Sequence, residues 1–153
     1  MNIDQKLHLF DDKIIQWIRK IGVPFGRFSL FLVYFWFGIL KIIGTSAANP
    51  LVESLLGVTT PWIPFATFAV VFGAFEMFVG ILFLRKGAER LAIFLMALHM
   101  LMTFLPLILL PEITWQAFLT PTVEGQYIIK NLVFISLGMG LLAHLHPLKK
   151  QSK

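Results

Sequence analysis

Cysteine does not occur among the 153 residues of this chain, which excludes disulfides, thiol redox chemistry and thiolate metal sites. Charge is scarce as well. Asp, Glu, Lys and Arg make up 14% of the residues, where a soluble domain carries about a quarter. No Ser-His-Asp set, phosphate-cradling glycine loop or paired-carboxylate site is present, so no self-sufficient catalytic constellation is in view. The four histidines are His8, His99, His144 and His146. His144 and His146 stand two apart, on different faces of a helix, and roughly seven to nine residues below the level of His99. That placement gives neither a haem pair nor a metal site. The N-terminal stretch MNIDQKLHLFDDKIIQWIRK lacks an unbroken apolar core and a small-residue cleavage site, so it does not read as a cleavable signal.

What the chain has is apolar length. Hydrophobic residues make up 58% of it, with 16 phenylalanines. Four runs approach the ~20 residues that cross a bilayer as a helix, at about 25–43, 63–84, 88–110 and 127–145. Asn49-Pro50 and Thr60-Pro61-Trp62-Ile63-Pro64 bracket the first connection, Arg85-Lys86-Gly87 reads as a tight second turn, and Pro111, Pro121 and Gly125 punctuate the third. The expected architecture is a single all-α domain, an integral membrane four-helix bundle.

The net charge of +5 does not point to nucleic acid, because the cations flank apolar runs and form no stripe or groove. Lys6, Lys13, Arg19, Lys20, Arg27, Arg85, Lys86, Arg90, Lys149, Lys150 and Lys153 all fall on one side of a four-span arrangement. The opposite connections hold Glu53, Glu112 and Glu124. The positive-inside rule then places both termini and the 85–90 turn in the cytoplasm. Residues 3–21 set Ile3, Leu7, Phe10, Ile14, Ile15, Trp17, Ile18 and Ile21 at mostly helical spacing among charges. For residues 1–22 this predicts an amphipathic helix lying on the cytoplasmic leaflet, with a partner-binding helix as the alternative. Trp115 and Phe118 suit the third connection to the outer interface.

Four ionisable residues interrupt the spans: Lys41, Glu76, His99 and Lys130. Such residues are functional-site hypotheses by default. At 1.5 Å per residue, Lys41 and Lys130 share an outer level, and Glu76 and His99 a deeper one roughly 12–16 Å from the inner boundary. A bundle with all four facing inward is the expectation. The lysines have a second reading, snorkelling to the outer headgroups. His99 has one as a hydrogen-bonded neutral imidazole, and Glu76 as half of a structural ion pair. A mid-membrane carboxylate needs a cation or a proton. Gly73 and Gly80 lie one turn either side of Glu76, and Gly38 one turn before Lys41, so other helices can come close there. Ser136, Gly138 and Gly140 offer a similar surface in the fourth span.

These motifs resemble the DoxX-like superfamily of small four-helix membrane proteins, and most closely its inner-membrane branch that includes a reactive-chlorine-resistance protein. WFGILK (Trp36, Gly38, Lys41) resembles that branch's W-x-G-x-x-K. GAFEMFVGIL resembles its G-x-x-E-x-x-x-G, and EGQYIIKNLVFISLG its G-R-x-x-x-K-D, with Gly125, Lys130 and Asn131 at the matching places. The chain departs at Gln126, where the family has arginine, at Asn131, where it has aspartate, and in a shorter first outer connection. The resemblance implies a bacterial cytoplasmic-membrane protein serving a quinone-linked redox or oxidative-stress system, with a partner protein, and a quinone as the cofactor in prospect. Lys41 and Lys130 would then donate to a quinone carbonyl or attract an anion, with Glu76 and His99 handling protons. Two other classes stay open: a small transporter or lipophile-binding bundle, working as a homo-oligomer, and a scaffold whose buried charges only pair.

Overall fold

The computed structural model describes residues 3–147, with the side chains of Ile3 and Lys6 left aside. Lys149, Lys150 and Lys153, three of the cations on which the expected orientation rests, lie outside the described residues, as do Met1 and Asn2. The molecule is nearly all-α, with four helical segments long and apolar enough to cross a membrane: Leu7–Ile42, Phe65–Leu84, Glu89–Leu109 and Val123–Ala143. It is a multi-pass membrane bundle. Exposed Phe25, Phe78, Phe94, Leu101 and Val133 cover its outer surface, as lipid as solvent requires and water does not.

The first helix differs from expectation. α1 runs unbroken over Ile3–Ile42, with Pro24 inside it. No boundary separates an interfacial helix from the first span. Proline at this place removes one N–H, which would have met the Lys20 carbonyl, and a single lost bond does not outweigh the helical preference on both sides. At 1.5 Å per residue the helix is about 60 Å long, twice the ~30 Å of a hydrocarbon core. It ends in a Schellman motif: Thr45 N–H donates to the Leu40 carbonyl (2.9 Å) and Gly44 N–H to that of Lys41 (3.1 Å). Gly44 takes a φ of +78°, which glycine adopts without steric cost.

The first connection holds a helix of its own, α2 (Asn49–Thr59), opened by Pro50 in its first turn. α3 (Phe65–Leu84) returns antiparallel to α1, since Gly73, Gly80 and Phe83 meet Gly38, Phe31–Phe35 and Arg27 in reverse order. Residues 85–88 make the expected tight turn, with Gly87 at φ +86°. Here Arg27 donates from Nε to the Phe83 carbonyl (2.7 Å) and from a guanidinium NH₂ to Glu89 (2.6 Å). One side chain thus ties α1 to the end of α3 and the start of α4 (Glu89–Phe104).

The third connection is built rather than loose. It comprises α5 (Pro106–Leu109), α6 (Pro111–Thr114) and a short hairpin of β1 (Trp115–Ala117) and β2 (Thr120–Pro121). Thr122 caps α7 (Val123–Lys130) by accepting from Gly125 N–H, while its hydroxyl donates to the Ile113 carbonyl. Trp115 is held to the bundle by its indole N–H on the Leu107 carbonyl; Phe118 alone of the two aromatics stands out. The fourth span starts at Val123, four residues earlier than the hydropathy suggests, and α8 (Leu132–Ala143) completes it after a turn at Asn131. Leu30, Tyr34, Val79, Phe83, Ala92, Met96, Met100 and Leu141, drawn from all four spans, form the core.

Candidate functional site

The site grows from a glycine contact. Gly38 on α1 and Gly73 on α3 touch backbone to backbone. A methyl on Gly38 would sit 2.5 Å from the Gly73 carbonyl oxygen, and one on Gly73 would sit 2.6 Å from that of Gly38. Side chains of a helix lean toward its N-terminus. In antiparallel helices, Lys41 and Glu76, each three residues past its glycine, therefore lean toward each other. Lys41 Nζ binds both carboxylate oxygens of Glu76, at 2.9 and 2.8 Å. The two levels inferred for these residues are bridged by the length of the lysine stem. Gly80, one turn further along α3, lets the backbone of α1 at Phe31 and Phe35 approach in the same way.

The pair continues into α4. His99 Nε2 lies 3.2 Å from Glu76 Oε1, and His99 Nδ1 is 3.0 Å from the Tyr34 hydroxyl. All four side chains belong to buried residues, between 4% and 7% exposed. The result is a continuous polar chain, Lys41–Glu76–His99–Tyr34, linking three helices. Phe72 and Phe75 wall it, with ring centroids 5.2 and 6.2 Å from that of His99, and Lys41 Nζ stands 5.7 Å from the Phe72 ring centre.

His99 Nε2 is near the carboxylate but out of line with it. Among the described residues it is the buried side-chain nitrogen left without a hydrogen-bond partner. The 3.2 Å approach is therefore a close contact and not an aligned hydrogen bond. If Nδ1 accepts from the phenol, Nε2 carries the ring proton beside a carboxylate, a favourable electrostatic order. The opposite tautomer sets a lone pair against Glu76. The first arrangement holds one proton on Tyr34 Oη, hydrogen-bonded to His99 Nδ1, and one on His99 Nε2, close to the carboxylate but unaligned with it.

Of the four ionisable residues read from the spans, the structure brings together Lys41, Glu76 and His99. It does not bring in Lys130. That lysine is exposed, with Nζ 4.8 Å from the centre of the Tyr127 ring. Its helix α7 turns at Asn131, and Asn131 in turn reaches the Thr103 hydroxyl at 3.5 Å. The expectation of four groups facing inward is corrected to three plus a tyrosine. Trp36, 58% exposed, faces outward and does not line the site. Tyr34 is not among the ionisable interruptions of the spans, yet the sequence carries a signal for it. It lies seven residues before Lys41 with Gly38 between them, two turns along one helical face.

No group of three or more His, Asp or Glu residues able to hold a metal occurs among the described residues. Compared with family models, with curated proteins and with solved structures, the chain matches none.

Proposed function

We propose that this chain is a membrane subunit or accessory protein of a quinone-linked redox or oxidative-stress system in a bacterial cytoplasmic membrane, both termini cytoplasmic, with the Lys41–Glu76–His99–Tyr34 chain as its site. His99 Nε2 is the observation that carries the reading: a buried nitrogen without an aligned partner, set beside a carboxylate and backed by a phenol. The motif resemblance at Lys41, Glu76 and Gly38 supports the class of system. A quinone supplies two-electron redox chemistry coupled to protons, which no residue of this cysteine-free chain supplies. His99 Nε2 and Tyr34 Oη are the groups that would bind and exchange protons with its oxygens. Glu76 orients the imidazole, and Lys41 binds both oxygens of Glu76. Tyr34 takes the donor role first read for Lys130.

The test is extraction of the full-length protein from native membranes, followed by chromatography for copurified quinone. Near-stoichiometric quinone that falls at least tenfold in His99→Asn and Tyr34→Phe, but not in Lys130→Ala, is the expected result. Quinone at background level in the parent protein, or retained equally by all variants, defeats the proposal.

A second reading has an observation of its own. Both oxygens of Glu76 are already engaged by Lys41, beside a backbone-to-backbone glycine contact. That is what a scaffold with purely architectural charges would show. It predicts that substitutions at Lys41 and Glu76 change stability while no small molecule is lost.

A further inference from the structure

The first 20 or so residues of α1 continue past the bundle. Every described side chain from Asp4 to Lys20 is exposed, among them Leu7 (61%), Phe10 (64%) and Trp17 (62%). This segment is one helix with the first span and adds about 30 Å to it at 1.5 Å per residue.

Six of its apolar residues follow a 4-3-4-3-4 spacing, Ile3, Leu7, Phe10, Ile14, Trp17 and Ile21, while Leu9, Ile15 and Ile18 fall beside that stripe. That is the 3.5-residue period of a left-handed coiled coil, with Leu7, Ile14 and Ile21 at a and Ile3, Phe10 and Trp17 at d. The flanks carry opposite charges. Lys6, Lys13 and Lys20 fall at g, and Asp4 and Asp11 at e. A parallel pair sets g of one helix against e of the next heptad on its partner, the register that opposes sequence positions 6 and 11, of opposite charge, and sets Lys13 against Ile18. An antiparallel pair would set lysine on lysine and aspartate on aspartate. Copies of a chain inserted with one orientation are parallel by necessity, so membrane topology and charge pattern agree.

The stripe also points the right way. At ~100° per residue, it lies roughly 150° around α1 from the face of Leu30, Tyr34, Gly38 and Lys41 that packs on the bundle. It shares the side of Phe25, Phe28 and Leu32, which are exposed within the first span. The stripe cannot fold back over its own bundle. Two features offset the shortness of a coil under three heptads. The span has already nucleated the helix, and confinement in one membrane raises the effective concentration of the second copy.

We propose that residues 3–21 form a parallel homodimeric coiled coil outside the bilayer, pairing two copies of this protein about an axis along the membrane normal. The chain's lack of cysteine makes the test direct. Full-length single-cysteine variants are placed in phosphatidylcholine–phosphatidylglycerol vesicles at high lipid-to-protein ratio and oxidised with copper phenanthroline. Phe10→Cys and Ile14→Cys, at d and a, should give disulfide-linked dimers at least tenfold more than Asp12→Cys and Gln16→Cys at f and c. Adding Asp11→Lys to Ile14→Cys should cut the yield severalfold, and Lys6→Asp on top of it should restore it. Equal yields at all four positions, or no rescue by the charge swap, would overturn the proposal. So would a spin label at Leu7→Cys relaxed by lipid-phase oxygen in preference to an aqueous nickel complex, since the segment would then lie in the leaflet.

Discussion

Among the described residues α1 makes two ion pairs with the rest of the bundle, and they differ in nearly every respect that sets their energy. Lys41–Glu76 joins α1 to α3 mid-bundle, with side chains 8% and 6% exposed. Arg27–Glu89 joins α1 to α4 at the basic end, with both side chains 17% exposed. The first is bidentate on the carboxylate and is shared with His99; the second leaves one Glu89 oxygen without the arginine, whose Nε goes to a backbone carbonyl instead. Removing one member of the inner pair strands a charge where no water can solvate it. At the outer pair, the headgroup region and bulk water take over. The same chemistry is therefore a constraint on packing in one place and a modest clasp in the other.

Substitutions at the two pairs separate the two regions, with Lys130 as an exposed reference. Glu76→Ala should cost about 3–5 kcal/mol by leaving Lys41 buried and unpaired, with Lys41→Met restoring most of it in the double variant. Thermal unfolding in detergent measures this, and a double variant no better than the single would break the distinction. Next in size, Glu89→Gln should cost about 1 kcal/mol. Its effect should shrink with added salt, because the pair lies within reach of mobile ions; the Glu76→Ala effect should be insensitive to salt. Smallest, Lys130→Ala should change stability by less than about 0.5 kcal/mol, as befits an exposed lysine resting on a tyrosine ring. A large loss there would restore Lys130 to the buried network.

Much of this was legible in the residues. The spans stand out because a helix crossing lipid must be apolar over its whole length, and the tight turn at Arg85-Lys86-Gly87 because glycine and charge break such runs. Gly38 before Lys41 and Gly73 before Glu76 gave away the packed interior, since only small residues permit that approach. Hydropathy says nothing, however, about azimuth. Lys41 and Lys130 look alike in the sequence, at similar depths, and only the turn at Asn131 and the packing of α7 send one inward and the other out. Tyr34 carries no charge, so it did not register as an interruption. The unbroken course of α1 through Pro24 was equally hidden, because a lone proline breaks a helix or is tolerated according to the strength of the flanking turns.

The sequence by itself determined that the chain carries four segments long and apolar enough to cross a membrane, and that Lys41 and Glu76 must be answered within the protein. These follow from the cost of exposing polar groups to hydrocarbon, which acts on composition and spacing alone. Tertiary structure decided which partners answer them, because the choice rests on helix rotation, on antiparallel lean of side chains about the Gly38–Gly73 contact, and on a third helix bringing His99 within reach of both Glu76 and Tyr34.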